Sequence, residues 1–123
     1  MMLKGKLSAR ERELLTEQAK QVFTEKVAYY ANIVGVTYGR VTIRTQKTRW
    51  GSCSSLGNLN FNCLLMFAPE EVQNYVVVHE LCHRKELNHS RRFWREVARV
   101  MPDYKVHKKW LKEYGGKIMN MNF

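Results

Sequence analysis

Two histidines four residues apart enclose a glutamate in the order His79-Glu80-Leu81-Cys82-His83. On a helix, positions i and i+4 share a face, so both imidazoles point at one ion. Glu80 lies about 100° round the helix from His79, which directs its carboxylate to a water activated by the metal and not to the metal itself. Neutral imidazole nitrogen suits zinc, which in catalytic sites keeps a position open and lowers the pKa of water there towards ~7. Glu80 would accept a proton from that water and return it to the leaving group. The spacing predicts one Zn2+ per chain and a hydrolytic reaction. The preceding run Tyr75-Val76-Val77-Val78 predicts a buried helix, where unpaired histidine and glutamate would be costly.

A third ligand is needed, and two residues qualify. His89 lies five positions beyond His83, and a chain leaving the helix near Asn88, a residue type that tolerates left-handed geometry, would swing it back to the metal. Glu96, on the next predicted helix, is the rival. The spacing to His89 equals that of the metzincins, but Glu86 stands where their pattern has glycine, and no Met-turn is evident. His107 falls on an apolar stripe and reads as a packing residue. Cys82 is about 100° from His83 on the helical wheel and reads the same way. Cys53, Cys63 and Cys82 are odd in number and form no C-x-x-C pair, as expected for small thiols in a reducing cytosol and not for a disulfide framework.

The elements that must position these residues are legible in outline. Ser8 and Glu11 form a capping box, and Leu15, Ala19, Val22, Phe23, Val27, Tyr30, Ala31 and Val34 recur at helical spacing until Gly35. Val41-Thr42-Ile43, Trp50 to Cys53 and Leu59 to Asn62 read as strands, with turn chemistry at Ser55-Leu56-Gly57-Asn58. Alternation predicts that Asn60 and Asn62 face solvent. Pro69 opens the active-site helix, with Glu70 and Glu71 against its N-terminal dipole. Its three valines favour strand by propensity, but the histidine motif requires helix. Ser90 caps a third helix carrying Phe93, Trp94, Val97 and Val100, and Met101-Pro102-Asp103 ends it. A fourth runs from Asp103, striped by Tyr104, Leu111 and Tyr114, until Gly115-Gly116 stops it. Residues 117–123 read as a loose tail. The expectation is one α+β domain over residues 1–123, of minimal zincin-like architecture: N-terminal helix, antiparallel sheet of about three strands, active-site helix and two C-terminal helices.

The formal net charge is +10, unevenly spread. Residues 1–83 hold ten Lys and Arg against seven Asp and Glu; residues 84–123 hold eleven against four. Arg91, Arg92, Arg95 and Arg99 recur along the third helix, and Lys105, Lys108, Lys109 and Lys112 along the fourth. Such a surface predicts an anionic partner, here weak nucleic-acid binding without sequence preference. Met1 to Leu15 lacks the apolar stretch of a signal peptide, and the longest apolar run, Cys63 to Ala68, is far too short to span a bilayer. A soluble, cytoplasmic protein without a membrane partner is expected.

Taken together, Lys47-Thr-Arg-Trp-Gly-Ser-Cys53, Gly57-Asn-Leu-Asn-Phe-Asn62, Ala68-Pro69, Tyr75 to His83, Asn88-His-Ser90, Phe93-Trp94 and Met101-Pro-Asp-Tyr104 resemble the YgjP-like family of zinc metallopeptidases, related to the SprT-like and Wss-type proteases. The resemblance covers residue 45 to about residue 114. It implies a polypeptide substrate, His89 as third zinc ligand, and a strand with Trp50, Gly51 and Ser52 bordering the cleft. The chain departs from the family pattern in lacking a further N-terminal segment of strands and in having Cys63 where tryptophan is common. With the resemblance in hand, Gly51 and Ser52 read as a strand edge that pairs with an extended peptide; Arg49 reads either as a surface charge or as a group that stabilises a developing oxyanion. Two other readings remain open at this point. One is a metal-dependent phosphohydrolase acting on nucleotides, although no Gly-rich phosphate loop is present. The other is a nucleic-acid-binding module with a structural zinc, although such sites are usually closed by four ligands rich in cysteine.

Overall fold

The capping box forms as its spacing predicts: Ser8 Oγ accepts from the Glu11 amide at 3.0 Å, and the Glu11 carboxylate accepts from the Ser8 amide at 2.8 Å. It starts helix α1 (Ala9–Val34), which Gly35 ends in the left-handed region at φ 83°, a conformation that glycine adopts without steric cost. The computed structural model describes residues 7–120. Along α1, Ala19, Phe23, Val27, Ala31 and Val34 are buried, and Phe23 stacks on Phe61 of the sheet with ring centroids 5.0 Å apart.

The sheet has three strands, β1 (Val41–Arg44), β2 (Gly51–Cys53) and β3 (Leu59–Asn62), in the order β1-β3-β2. It is mixed, not wholly antiparallel as alternation and turns suggested: β2 runs antiparallel to β3, but β1 runs parallel to it. The cause is the 45–50 segment, which crosses the end of β3 to reach the far edge. Asn62 holds that crossing by donating from Nδ2 to the carbonyls of Gln46 (2.6 Å) and Arg49 (2.8 Å). Asn62 is therefore not a solvent-facing residue; it is 2% exposed. Its Oδ1 also accepts from the Leu64 amide, starting a short 3-10 helix, Cys63–Phe67, that the sequence reading did not foresee.

Helix α2 (Glu70–Cys82) follows Pro69 and buries Val72, Val76, Val77, Val78 and Leu81. Tertiary burial overrides the β propensity of the three valines. Helix α3 (Arg91–Val100) is capped by Ser90, whose Oγ accepts from the Phe93 amide at 3.3 Å. Helix α4 (Tyr104–Met119) does not stop at Gly115-Gly116. Gly115 is instead the point where α4 approaches Trp50, since an added Cβ would lie 3.0 Å from Trp50 Cζ2. The helix continues because Ile118 and Met119 close the core beneath it. The tail expected from residue 117 is thus helical through Met119, and residues 121–123 lie outside the described part. Tyr114, placed on the apolar stripe by spacing, is 44% exposed. Among the described residues no helix is long and apolar enough to cross a membrane.

Candidate metal centre and cleft

Helix α2 ends one residue before the second histidine of the motif. His83 is its C-cap, still right-handed at φ −66°, so the i, i+4 relation to His79 survives and their rings lie 5.0 Å apart. The last turn tightens, with the His83 and Arg84 amides donating three residues back to Glu80 and Leu81. The chain therefore leaves the helix at His83, turns over residues 83–85 and bends at Leu87 and Asn88. It does so without left-handed geometry at Asn88, since no described non-glycine residue has positive φ. Arg84 fixes this turn by donating from Nε to the Thr37 carbonyl (2.9 Å) and from a terminal nitrogen to the Ser55 carbonyl (3.2 Å).

The turn brings His89 back to the helix. Its ring centroid is 5.0 Å from that of His79 and 4.8 Å from that of His83, and one nitrogen of each of the three histidines lies within 4.8 Å of the others. No further His, Cys, Asp or Glu joins the group among the described residues. Glu96, the rival to His89, is elsewhere: its carboxylate accepts from Arg99 at 2.5 Å and from Lys85 at 2.9 Å. These bonds, that of Arg99 foremost, pull its pKa down to about 2.

The outer nitrogens of the histidines are held as well. His83 Nδ1 is 3.0 Å from the Glu86 carbonyl, which can only accept, so Nδ1 carries the proton and Nε2 keeps its lone pair. His79 Nδ1 is 3.4 Å from the Tyr75 hydroxyl. Phe93, fully buried, forms the floor: it stacks on His83 at 4.4 Å and meets the rings of His79 and His89 at 5.0 Å. Trp94 stacks on His89. Burial, reinforced by His83, His89 and Lys108, pushes the His79 pKa down to about 3, and burial also lowers that of His83. Both rings are therefore neutral donors at neutral pH.

Glu80 is 7% exposed. Burial raises its pKa to about 7, against the opposing charge of Arg49. Two cavities meet at Arg49, Gly51, His79 and Glu80. One, of about 290 Å³, adds Ser52, Cys53, His83, Leu87 and His89. The other, of about 260 Å³, adds Trp50, Tyr75, Val76, Lys108 and Leu111. The structure thus brings Arg49, Trp50, Gly51 and Ser52 to the rim beside Glu80, with β2 as the edge strand of the sheet.

The basic row expected on α3 loses its last member. Arg91, Arg92 and Arg95 are exposed, but Arg99 also donates to the carbonyls of Ile33 and Val34 at the end of α1, so it ties two helices together. His107 packs as expected, 9% exposed, with Nε2 3.2 Å from an Asp103 carboxylate oxygen, and Cys82 is fully buried. Sequence reasoning gave no site role to Tyr75, Phe93, Trp94 or Leu111, and it placed Lys108 on a basic surface and not at the cleft. Tyr75 was findable, since it sits one helical turn before His79; the others come from helices whose packing angle the sequence does not encode.

No curated protein sequence matches the chain. Among solved structures, the chain is similar to the metallopeptidase zymogen abylysin of Pyrococcus abyssi, with 26% identity, a TM-score of 0.67, and coverage of 76% of this chain and 95% of that one. The metallopeptidase zymogen jannalysin of Methanocaldococcus jannaschii shares the fold at 19% identity and a TM-score of 0.64, over 74% of this chain and 94% of that one. The sequence model of the YgjP-like metallopeptidase domain matches residues 4–114. With nine-tenths of its length matched in this way, the chain belongs to the YgjP-like metallopeptidase family.

Proposed function

We propose that the protein is a zinc-dependent peptidase in which His79, His83 and His89 hold one Zn2+ and Glu80 is the general base. The observation that carries this reading is the convergence of three imidazole nitrogens within 4.8 Å beside a buried carboxylate. The donor set fits zinc: neutral nitrogens, no fourth side-chain ligand among the described residues, and His79 and His89 Nε2 atoms 3.1 Å apart. Two nitrogens at ~2.05 Å from one tetrahedral ion would be separated by roughly 3.3 Å. The absence of a fourth ligand favours a catalytic over a structural site.

The ion, when bound, supplies Lewis acidity that lowers the pKa of water and polarises the scissile carbonyl. Glu80 takes a proton from the attacking water as the new C–O bond forms, and delivers it to the nitrogen as the C–N bond breaks. Burial makes the Glu80 carboxylate more basic than an exposed one, which favours its taking a proton, while the charge of the bound ion opposes that rise. The edge of β2 offers unpaired backbone groups to an extended substrate, and Arg49 stands at the rim to stabilise charge developing on the carbonyl oxygen. The wall of Trp50, Tyr75, Val76 and Leu111 favours a peptide side chain over the phosphate of the phosphohydrolase alternative.

Metal analysis of the purified protein, paired with hydrolysis of an unstructured protein such as casein, tests the reading. Wild type should hold one zinc per chain and cleave. Glu80→Gln should keep the metal and lose about 10²–10⁴-fold in turnover. A Glu80→Gln protein that cleaves as well as wild type removes Glu80 from the chemistry.

A further inference from the structure

The cleft continues past Glu80 in one direction, and its continuation changes character. The 260 Å³ cavity against His79 and Glu80 has carbon walls at Trp50, Tyr75, Val76 and Leu111, and Lys108 stands at its border. Lys108 also borders a second groove, of about 570 Å³, lined by Lys105, Lys109, Lys112 and Glu113 on α4. The two cavities therefore adjoin at one residue. Positions 105, 108, 109 and 112 fall on a single helical face, and all four lysines are exposed. Among the described residues Lys109 alone of the four has an ion pair, a surface contact of 3.7 Å to Glu113. Lys108 is held in place, with Nζ 4.1 Å from the centre of the Trp94 ring, which itself stacks on Tyr104 and His89. A cation–π contact of this kind fixes the ammonium without neutralising it.

Strand direction tells which part of a substrate meets this path. Antiparallel pairing is the more stable per residue, so an extended peptide on the edge of β2 runs opposite to Gly51→Cys53. Its N-terminal part then lies at the Cys53 end and its C-terminal part at Trp50. The residue after the scissile bond faces the carbon-walled cavity, which has room for one bulky side chain, and the residues that follow cross Lys108 onto the lysine face of α4.

We infer that this face of α4 selects the substrate: the protein takes polypeptide segments in which a large apolar residue after the scissile bond is followed by a run of acidic residues. The inference rests on the peptidase reading above. An acidic peptide fits better than a nucleic acid because the lysine row ends in an apolar cavity beside Glu80, which suits a side chain and not a phosphate.

Paired labelled peptides, identical up to a central Phe and continuing with a run of Glu in one and of Gln in the other, test it in two arms. In the first, binding to the Glu80→Gln protein is read by fluorescence anisotropy at low and high salt. The Glu peptide should bind about tenfold more tightly at low salt, as expected for several exposed charge pairs each contributing a few-fold, and the advantage should fade as salt rises. Replacing Lys105, Lys109 and Lys112 together by Gln should bring the two affinities level; the side chains are exposed, and circular dichroism checks the fold. In the second arm, wild type should cleave the Glu peptide with a kcat/KM about tenfold higher, mainly through KM. Equal affinity for the two peptides, or a preference that the triple variant retains, overturns the inference whatever the turnover. An acidic preference in binding that the triple variant abolishes, with no cleavage of either peptide by wild type, overturns the peptidase reading and leaves the binding face standing. A labelled oligonucleotide that binds more tightly than the Glu peptide, and is lost in the triple variant, assigns the face to nucleic acid and overturns the inference.

Discussion

The carboxylate of Glu80 lies against the α-carbon of Gly51. A methyl group on that carbon would stand 3.2 Å from Glu80 Oε2, 3.1 Å from Glu80 Cγ and 3.1 Å from the Asn60 carbonyl oxygen. Gly51 thus serves close approach, not a special backbone angle: β2 can pass over α2 at this point only because the residue there has no side chain.

Gly51→Ala is therefore expected to shift Glu80 by a few tenths of an ångström, since the backbone oxygen on the other side gives less easily than a side chain. Displacements on that scale near reacting atoms should lower kcat on the order of tenfold, with zinc content unchanged and stability reduced by about 1 kcal/mol. Steady-state kinetics, metal analysis and urea unfolding read the three quantities. Wild-type kcat in Gly51→Ala would mean that the carboxylate tolerates the new contact.

The proposed ligand set includes His89 and excludes Glu96, which spacing alone left as rivals. Zinc content by mass spectrometry should collapse in His79→Ala and His83→Ala and fall strongly in His89→Ala, while Glu96→Ala keeps its metal because its carboxylate is committed to Lys85 and Arg99. An emptied site in Glu96→Ala with a full one in His89→Ala would reverse the assignment.

Asn62 positions Arg49 and Trp50 without touching the cleft chemistry. Asn62→Ala leaves the Gln46 and Arg49 carbonyls and the Leu64 amide without their partner. A loss of about 1–3 kcal/mol is expected, together with a fall in kcat/KM measured at a temperature where the variant remains folded. Unchanged stability would show that water replaces the amide at no cost.

The Lys85–Glu96–Arg99 group should be visible in acid. The Glu96 pKa is lowered from 4.5 to about 2, chiefly by its hydrogen bonds from Arg99. A carboxylate whose pKa is depressed on folding stabilises the protein above its unfolded pKa and loses that contribution as pH falls through the folded value. Glu96→Gln should thus melt below wild type at pH 7, and the gap should narrow between pH 4.5 and pH 2. Both proteins are compared in chelator, so that metal loss does not mask the trend. A gap independent of pH would mean that the carboxylate charge is not what Glu96 contributes.

Local rules are readable one residue at a time, and those parts of the protein were legible. Ser8 with Glu11, Gly35, Pro69 and Ser90 mark helix ends because each satisfies or removes particular backbone groups. The i, i+4 spacing of His79 and His83 needs nothing beyond helical geometry. The valines of α2 show where propensity alone would have failed, since burial outweighs a preference of a fraction of a kcal/mol per residue.

What tertiary structure decided is every relation between elements that local rules leave free. Asn62 alternates with apolar neighbours and so reads as surface; only the 45–50 crossing, which also makes β1 parallel to β3, buries it. Gly115 reads as a helix stop, but α4 continues because Trp50 needs a small neighbour there and Ile118 and Met119 find a core. Spacing left His89 and Glu96 both open as third partner to His79 and His83, and the family resemblance pointed to His89. The chain after α2 brings His89 beside His79 and His83, and two cations, Lys85 and Arg99, hold Glu96 elsewhere. The types and spacing of His79, Glu80 and His83 stand in the sequence, but the open side of the cleft, its carbon wall and its lysine border arise from the angles at which α3 and α4 pack on α2. Those angles are set by the summed packing of many side chains, and no short stretch of the sequence contains them.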